Sequence, residues 1–99
     1  MAVLTFRFPA TQATVHRHHV GVVGSGDCEI LVEPPLPGGA PEVEVTVRTT
    51  VAGFDTTWRR VLTSFFERYP FAGRYLVNDQ GATPGVVSLR LLQAQAGAR

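Results

Sequence analysis

The chain lacks lysine altogether, has a single cysteine, and contains no long apolar run. Its nine positive residues are all arginine, and they leave a formal net charge of only +1. This near balance excludes the basic surface that non-specific binding to nucleic acid or to an anionic membrane requires. No targeting segment and no stretch of about 18 apolar residues is found, so we expect a cytoplasmic protein without membrane contact. The lone Cys28 cannot form an internal disulfide, which agrees with that compartment.

The size and composition of the chain predict one domain over residues 1–99. Hydrophobic residues make up 44% of the 99 residues. A chain of this length buries roughly two-thirds of the surface that it exposes when unfolded. We therefore expect a folded core that needs neither a metal ion nor a disulfide.

One stretch carries the clearest functional signal, a hydroxyl between two glycines at Gly24-Ser25-Gly26. The β-branched runs at 20–23 and 28–33 lie on either side of it, which predicts a hairpin over residues 20–33. Glycine adopts positive φ without steric cost, so the turn can be tight and the Ser25 hydroxyl exposed. A plain hairpin turn, in which Asp27 binds backbone N–H groups of the loop, is the competing interpretation.

The spacing around Ser25 does not fit a catalytic serine or a phosphate-binding loop. A nucleophile elbow has glycine two residues before and two after its serine, and here Val23 and Asp27 occupy those positions. No Gly-Lys-Ser/Thr sequence follows, which excludes a Walker loop. A small hydrolase would further need a histidine with an orienting acid, and none is evident. Ser25 is therefore interpreted as a modified residue rather than as a nucleophile.

The remaining pattern predicts an α+β fold. Alternating apolar residues predict strands, and a Pro- and Gly-rich stretch predicts a loop. The predicted strands are 3–8, 43–51 and 73–77, and the predicted loop is 33–41. With the hairpin these give a small antiparallel or mixed sheet of four to five strands, with one or two helices packed on one face.

Two helices are considered. Residues 55–69 have apolar residues at amphipathic spacing, with Asp55 as the expected N-cap and Pro70 as the stop. Seven of the nine aromatic residues lie between Phe54 and Tyr75, so this main helix supplies most of the core. The segment 86–96 fits both a helix and a strand, and the Thr83-Pro84 start signal favours the helix.

The cluster His16-Arg17-His18-His19 is the one group that suggests a metal site. In a strand, His16 and His18 share a face while His19 points away, and no acid or cysteine follows at ligand spacing. We expect no metal at this cluster, and instead a solvated edge or a positive flank near the hairpin.

Two separated motifs resemble the family of acyl-carrier (delta) subunits of bacterial malonate decarboxylase, over nearly the full chain. The first is VGxVGSGD at residues 20–27 with Glu29-x-Leu31, and the second is DxGATPGVVxLRL at residues 79–91. Between them lie Glu33-Pro34 and Pro37-Gly38. Cys28 departs from the pattern, which has an apolar leucine there. We interpret Cys28 as a small packed hydrophobe.

The resemblance implies a carrier rather than a catalytic subunit. Ser25 would carry 2'-(5''-phosphoribosyl)-3'-dephospho-CoA through a phosphodiester, and the thiol of that group would hold acetyl and malonyl groups. The implied partners are an acyl-transferase (alpha) subunit, the decarboxylase (beta/gamma) subunits and a prosthetic-group transferase. Gly24 and Gly26 have no side chains, so the active site of the transferase could close around Ser25. Their N–H groups would help to hold the phosphodiester. Asp27 would fix the loop or mark it for the transferase.

Some alternatives stay open at this point. The segment 79–84 is interpreted either as an interface with the decarboxylase subunits or as a loop that caps a helix. The carrier subunit of citrate lyase, a family with a similar prosthetic group and a Ser-Ser-Asp site, is the nearest alternative, but Gly24-Ser25-Gly26 and Thr83-Pro84-Gly85 favour the malonate family. An unmodified α+β interaction module is the alternative from a different functional class.

Overall fold

The computed structural model describes residues 1–39 and 41–99. Within them lie six β-strands and two α-helices. In chain order these are β1 (Ala2–Pro9), β2 (Gln12–Ala13), β3 (His18–Gly21), β4 (Cys28–Glu33), β5 (Glu42–Thr49), α1 (Asp55–Arg68), β6 (Phe71–Asp79) and α2 (Pro84–Ala98). No helix in the described part of the chain is long and apolar enough to cross a membrane.

The sheet is mixed and has the strand order β1-β5-β6-β4-β3. Strands β5 and β6 are parallel and are connected through α1, whereas the other neighbours along this path are antiparallel. The two-residue strand β2 pairs with the start of β6. The α+β class is confirmed, and β2 raises the strand count one above the predicted maximum because this exposed pair is too short to show a periodic pattern.

One face of the sheet forms the core. Val43, Val45 and Val47 of β5 are fully buried, and the residues between them are not, as the alternation predicts. Tyr75 of β6 continues this layer, since it lies beside Val45 on one side and Val32 on the other. Helices α1 and α2 pack on this face and contact each other, so both helices cover the same side of the sheet.

Helix α1 buries its aromatic stripe, but it begins differently from the prediction. Trp58, Leu62, Phe65 and Phe66 are its buried residues. The N-cap is Phe54, which has no side-chain capping bond, and the prediction of Asp55 as N-cap is wrong. The Phe54 carbonyl already accepts the first helical hydrogen bond, from the Trp58 N–H at 2.9 Å, which places Asp55 inside the first turn.

Segment 86–96 is helical and forms most of α2. Thr83 is the N-cap, with its hydroxyl oxygen accepting the Val86 N–H at 3.3 Å, and Pro84 occupies the first turn, as the start signal predicts. The buried residues Val87, Leu91, Ala94 and Ala98 recur at helical spacing. The strand interpretation of this segment is therefore wrong.

The bounds of several predicted elements change. The strand predicted over 73–77 is β6 and extends from Phe71 to Asp79, and the helix predicted over 55–69 ends at Arg68. The strand predicted over 43–51 ends at Thr49, because the Thr49 hydroxyl accepts the Val51 N–H at 3.1 Å and turns the chain. The loop predicted over 33–41 begins one residue later, because Glu33 is the last residue of β4. Residues 34–39 lie outside helices and strands. Ala40 of that loop lies outside the described residues.

Candidate functional site

Ser25 lies in a six-residue loop, 22–27, that joins β3 to β4. The predicted hairpin is present, but its first strand is His18–Gly21, so Val22 and Val23 belong to the loop and are exposed. Within the loop, the Asp27 N–H donates to the Gly24 carbonyl at 3.0 Å, which closes a β-turn with Ser25 and Gly26 at its centre. Gly26 has φ +74°, as the third residue of a type II turn requires. Ser25 is exposed at the tip.

The loop is fastened to the connection between β6 and α2. The Gly26 N–H donates to the Gln80 carbonyl at 2.8 Å, and the Gln80 N–H donates to the Asp27 carbonyl at 3.0 Å. These two bonds extend the β4–β6 pairing past Cys28 and Asp79, so the backbone on the C-terminal side of Ser25 is fixed. The first of them engages the Gly26 N–H, and the expectation that this group helps to hold a phosphodiester stays a prediction.

Asp27 forms a bidentate ion pair with Arg90 of α2. The Arg90 Nη2 and Nε atoms donate to the two carboxylate oxygens at 2.7 Å and 3.1 Å, and the Cys28 N–H donates to Oδ1 at 2.7 Å. Hydrogen bonds from Arg90 and from the Cys28 backbone hold the pKa of Asp27 below its ordinary value. Asp27 therefore fixes the loop, as one of its two interpretations proposed. The sequence places Arg90 in the second motif but does not reveal its pairing with Asp27, which is 63 residues away along the chain.

Cys28 is fully buried directly beneath the loop. Burial, together with the nearby carboxylates of Asp27 and Asp79, raises the pKa of its thiol to about 12. The thiol is thus protonated near neutral pH and poorly suited to nucleophilic chemistry. The interpretation of Cys28 as a small packed hydrophobe is confirmed.

Segment 79–84 has the structure of a loop that caps a helix. The buried Asp79 carboxylate accepts the Thr49 hydroxyl at 2.8 Å and the Gly81 and Ala82 N–H groups at 3.2 Å and 2.9 Å. Thr83 then caps α2. The capping interpretation is confirmed, and the interface interpretation stays a prediction.

The histidine cluster is dispersed by the sheet. His18 is half-buried against Gly97 of α2, His16 is exposed, and His19 pairs with Glu29 at 2.9 Å. The sequence did not reveal this acid for His19, but no hydrogen bond joins His19 to Ser25 within residues 1–39 and 41–99. In that same part of the chain, no group of three His, Cys, Asp or Glu residues is placed to hold a metal ion.

Comparisons with known proteins give a consistent result. The family model described as malonate decarboxylase delta subunit (MdcD) matches residues 15–98. The malonate decarboxylase acyl carrier protein of Burkholderia cepacia is 43% identical over 99 residues, covering 97% of this chain and 89% of the relative. That of Pseudomonas fluorescens strain SBW25 is 45% identical over 94 residues, covering 94% and 92%.

A solved structure is also similar. One chain of the crystal structure of a Pseudomonas malonate decarboxylase hetero-tetramer in complex with malonate superposes with a TM-score of 0.90 and 41% sequence identity. The match covers 100% of both chains.

Proposed function

The chain belongs to the malonate decarboxylase delta subunit family, and on that premise we propose that it is the non-catalytic acyl carrier subunit of a malonate decarboxylase. The relatives bear the name of acyl carrier, and the solved neighbour comes from a hetero-tetramer of that enzyme. The proposed partners are an acyl-transferase subunit and the decarboxylase subunits, together with the transferase that attaches the prosthetic group.

Ser25 is the proposed attachment point for 2'-(5''-phosphoribosyl)-3'-dephospho-CoA. The observation that carries this proposal is an exposed hydroxyl at the tip of a loop whose backbone is fixed by hydrogen bonds to Gln80. An attaching enzyme needs a hydroxyl that it can reach and that keeps a defined position, and the loop provides both.

The surroundings of Ser25 fit a bulky phosphodiester. A Cβ built on Gly26 would meet no atom within 4 Å, so the space beside the hydroxyl is open. Asp27 would repel a phosphate, but Arg90 neutralises its charge in the bidentate pair. The residues present therefore suit the group, with Gly24, Gly26 and Asp27 shaping the loop around the Ser25 oxygen.

When bound, the group supplies a thiol that carries acetyl and malonyl groups as thioesters. Free malonate loses carbon dioxide poorly because its carboxylates cannot hold the electrons left behind, whereas a thioester carbonyl accepts them as an enolate. The protein's own part is mechanical, because Ser25 breaks no bond and hydrogen bonds to Gln80 fix the backbone on its C-terminal side. Tethering keeps the acyl group at an effective concentration on the order of millimolar near the catalytic sites.

Intact-mass measurement tests the attachment. We expect the wild type, coexpressed with the prosthetic-group transferase and the enzymes that make its substrate, to gain the mass of one group. Ser25→Ala should gain nothing. Ser64→Ala is the matched control, since Ser64 is also an exposed serine but lies on α1, and it should be loaded like the wild type.

Two results would contradict the proposal. A wild type that gains no mass under these conditions would indicate an unmodified interaction module. A mass gain that survives in Ser25→Ala would place the attachment elsewhere on the chain.

A further inference from the structure

A cavity of about 360 Å³ opens between the first turns of α1 and α2. Its volume lies within the range of small-molecule pockets, about 300–1,000 Å³. The lining comes from the end of β5, the start of α1 and the connection from β6 into α2. The lining residues are Thr49, Val51, Phe54, Thr57, Trp58, Val61, Asp79, Gly81, Ala82, Pro84 and Val87. We call this cavity the arm pocket.

The wall of the arm pocket is mainly apolar. Trp58 and Val87 are buried in it, whereas Val51 and Phe54 stay 38% and 49% exposed. Exposed apolar side chains at a cavity favour a ligand that removes them from water. The pocket therefore suits a ligand with an apolar end.

The polar side chains that line the arm pocket are those of Thr49, Thr57 and Asp79, and none of them is cationic. The Asp79 carboxylate is engaged by Thr49 and by two backbone N–H groups. Among the described residues, no arginine or histidine lines the pocket to neutralise an incoming carboxylate. Placing an anion against an apolar wall without a partner is costly, whereas an uncharged group pays no such penalty.

The arm pocket lies at the same end of the sheet as Ser25. Gly81 is a lining residue, and its neighbour Gln80 forms both backbone hydrogen bonds to the Ser25 loop. Consecutive Cα atoms are about 3.8 Å apart, so the loop that holds Ser25 and the pocket wall adjoin. A long, flexible group attached to Ser25 has the pocket within its reach.

We propose that the arm pocket binds the thiol end of the group on Ser25 when that thiol carries acetyl, and releases it when it carries malonyl. This inference rests on the proposed function. Burial of the acetyl methyl and of the adjoining methylene groups removes apolar surface from water and so stabilises the docked form. The free carboxylate of malonyl loses its hydration there and finds no arginine or histidine among the described lining residues to neutralise it. Docking also removes the acetyl thioester from water, so its hydrolysis slows.

The experiment uses Trp58, which is the only tryptophan in the chain and lines the arm pocket. Its fluorescence is recorded for the apo, thiol, acetyl and malonyl forms, with each form verified by intact mass. We expect the acetyl form to differ from apo, and the malonyl form to resemble apo. The amide resonances of Gly81 and Ala82 should shift in the acetyl form alone.

A pocket-filling variant and a matched control test whether the fluorescence change of Trp58 arises from binding in the arm pocket. Val51→Phe adds bulk at the exposed rim of the arm pocket, and Val3→Phe makes the same change at an exposed position on β1 outside it. We expect Val51→Phe to abolish the Trp58 change and to speed hydrolysis of the acetyl thioester several-fold. Val3→Phe should behave like the wild type.

Distinct results separate the two proposals. One result overturns the arm-pocket proposal and leaves the carrier proposal standing. In it, intact mass shows full loading, the fluorescence of Trp58 is the same in all four forms, and Val51→Phe does not change the rate of acetyl thioester hydrolysis. If Trp58 responds only when the catalytic subunits are added, a partner side chain occupies the pocket and the arm-pocket proposal is again wrong. If the wild type is never loaded, both fail.

Discussion

At the scale of single residues, two glycines with positive φ bracket the Ser25 loop, and they differ in their surroundings. Gly21 ends β3 with φ +81°, and a Cβ there would lie 2.1 Å from the Cys28 carbonyl oxygen. Gly26 has φ +74°, but a Cβ there would meet open space. Gly21 is therefore required by both backbone conformation and close approach, and Gly26 by conformation alone.

Alanine substitutions measure this difference. Gly26→Ala should lower the free energy of unfolding by about 1–2 kcal/mol, the cost of a left-handed conformation for a residue with a Cβ. Gly21→Ala should cost more, because the β3–β4 backbone must also move. Urea denaturation of both variants checks this, and equal losses would show that the close approach at Gly21 does not matter.

The Asp27–Arg90 pair provides a second test at this scale. We expect Asp27→Asn and Arg90→Gln each to lower the Tm, and the double variant to lose little more, because both substitutions break the same pair. Arg90→Lys keeps the charge but cannot form the bidentate contact, so it should restore only part of the loss. If the Tm loss of the double variant equals the sum of the two single losses, the two side chains do not stabilise the protein as a pair.

The pH dependence of this pair has a definite sign. The pKa of Asp27 is lowered in the folded protein, so the pair's contribution is present above the ordinary pKa and is lost as pH falls through the lowered value. The Tm difference between wild type and Asp27→Asn should therefore be constant near neutral pH and shrink below about pH 4. A difference that grows on acidification would refute this assignment.

At the scale of elements, the two helices begin in different ways. Thr83 caps α2 with its hydroxyl, whereas α1 starts at Phe54 without a side-chain cap and has Asp55 in its first turn. A cap satisfies an N–H group directly, and an acid in the first turn only complements the helix dipole.

Removal of the two polar side chains should reflect that difference. Thr83→Ala should lower the free energy of unfolding by about 0.5–2 kcal/mol. Asp55→Ala should lower it by only about 0.3–1 kcal/mol, and high salt should reduce that loss. Chemical denaturation at low and high salt distinguishes them, and a larger loss for Asp55→Ala would restore it as the N-cap.

At the scale of the whole molecule, the core buries two groups that ionise at high pH. Burial is the main cause that raises the pKa of Cys28 to about 12 and the pKa of Tyr75 also to about 12. The Tyr75 hydroxyl donates to the Phe71 carbonyl at 2.7 Å, and Gln95 Nε2 donates to its oxygen at 3.2 Å. Both groups keep their protons in the folded protein at pH values where the unfolded chain has lost them.

Stability should therefore fall in alkali before the folded core ionises. As pH rises above the ordinary values of 9.0 for Cys28 and 10.0 for Tyr75, each group should lower the free energy of unfolding by at most about 1.4 kcal/mol per pH unit. In Cys28→Ala, the free energy of unfolding should begin to fall only at a higher pH. In the double variant with Tyr75→Phe, the free energy of unfolding should stay nearly constant over this pH range. Urea unfolding between pH 8 and about 11 measures it. An unchanged decline in the double variant would contradict the assignment.

Local patterns in the sequence predicted much of this architecture. Alternation predicted β1 and β5, helical spacing predicted α1, and the glycines around Ser25 predicted the hairpin and its exposed hydroxyl. The two-residue strand β2 was missed because it is exposed and too short for a period. The N-cap of α1 was misplaced by one residue because the sequence does not show which carbonyl accepts the first helical hydrogen bond.

By itself, the sequence determined the α+β class, the exposed serine and the family, because periodicity, turn chemistry and motifs are properties of short segments. Only the tertiary structure decided what surrounds the serine. Arg90 reaches Asp27 across 63 positions, Gln80 takes up the Gly26 N–H, and the arm pocket forms between two helix starts. The physical reason is that these contacts join residues distant along the chain, and they exist only once the sheet and helices have packed.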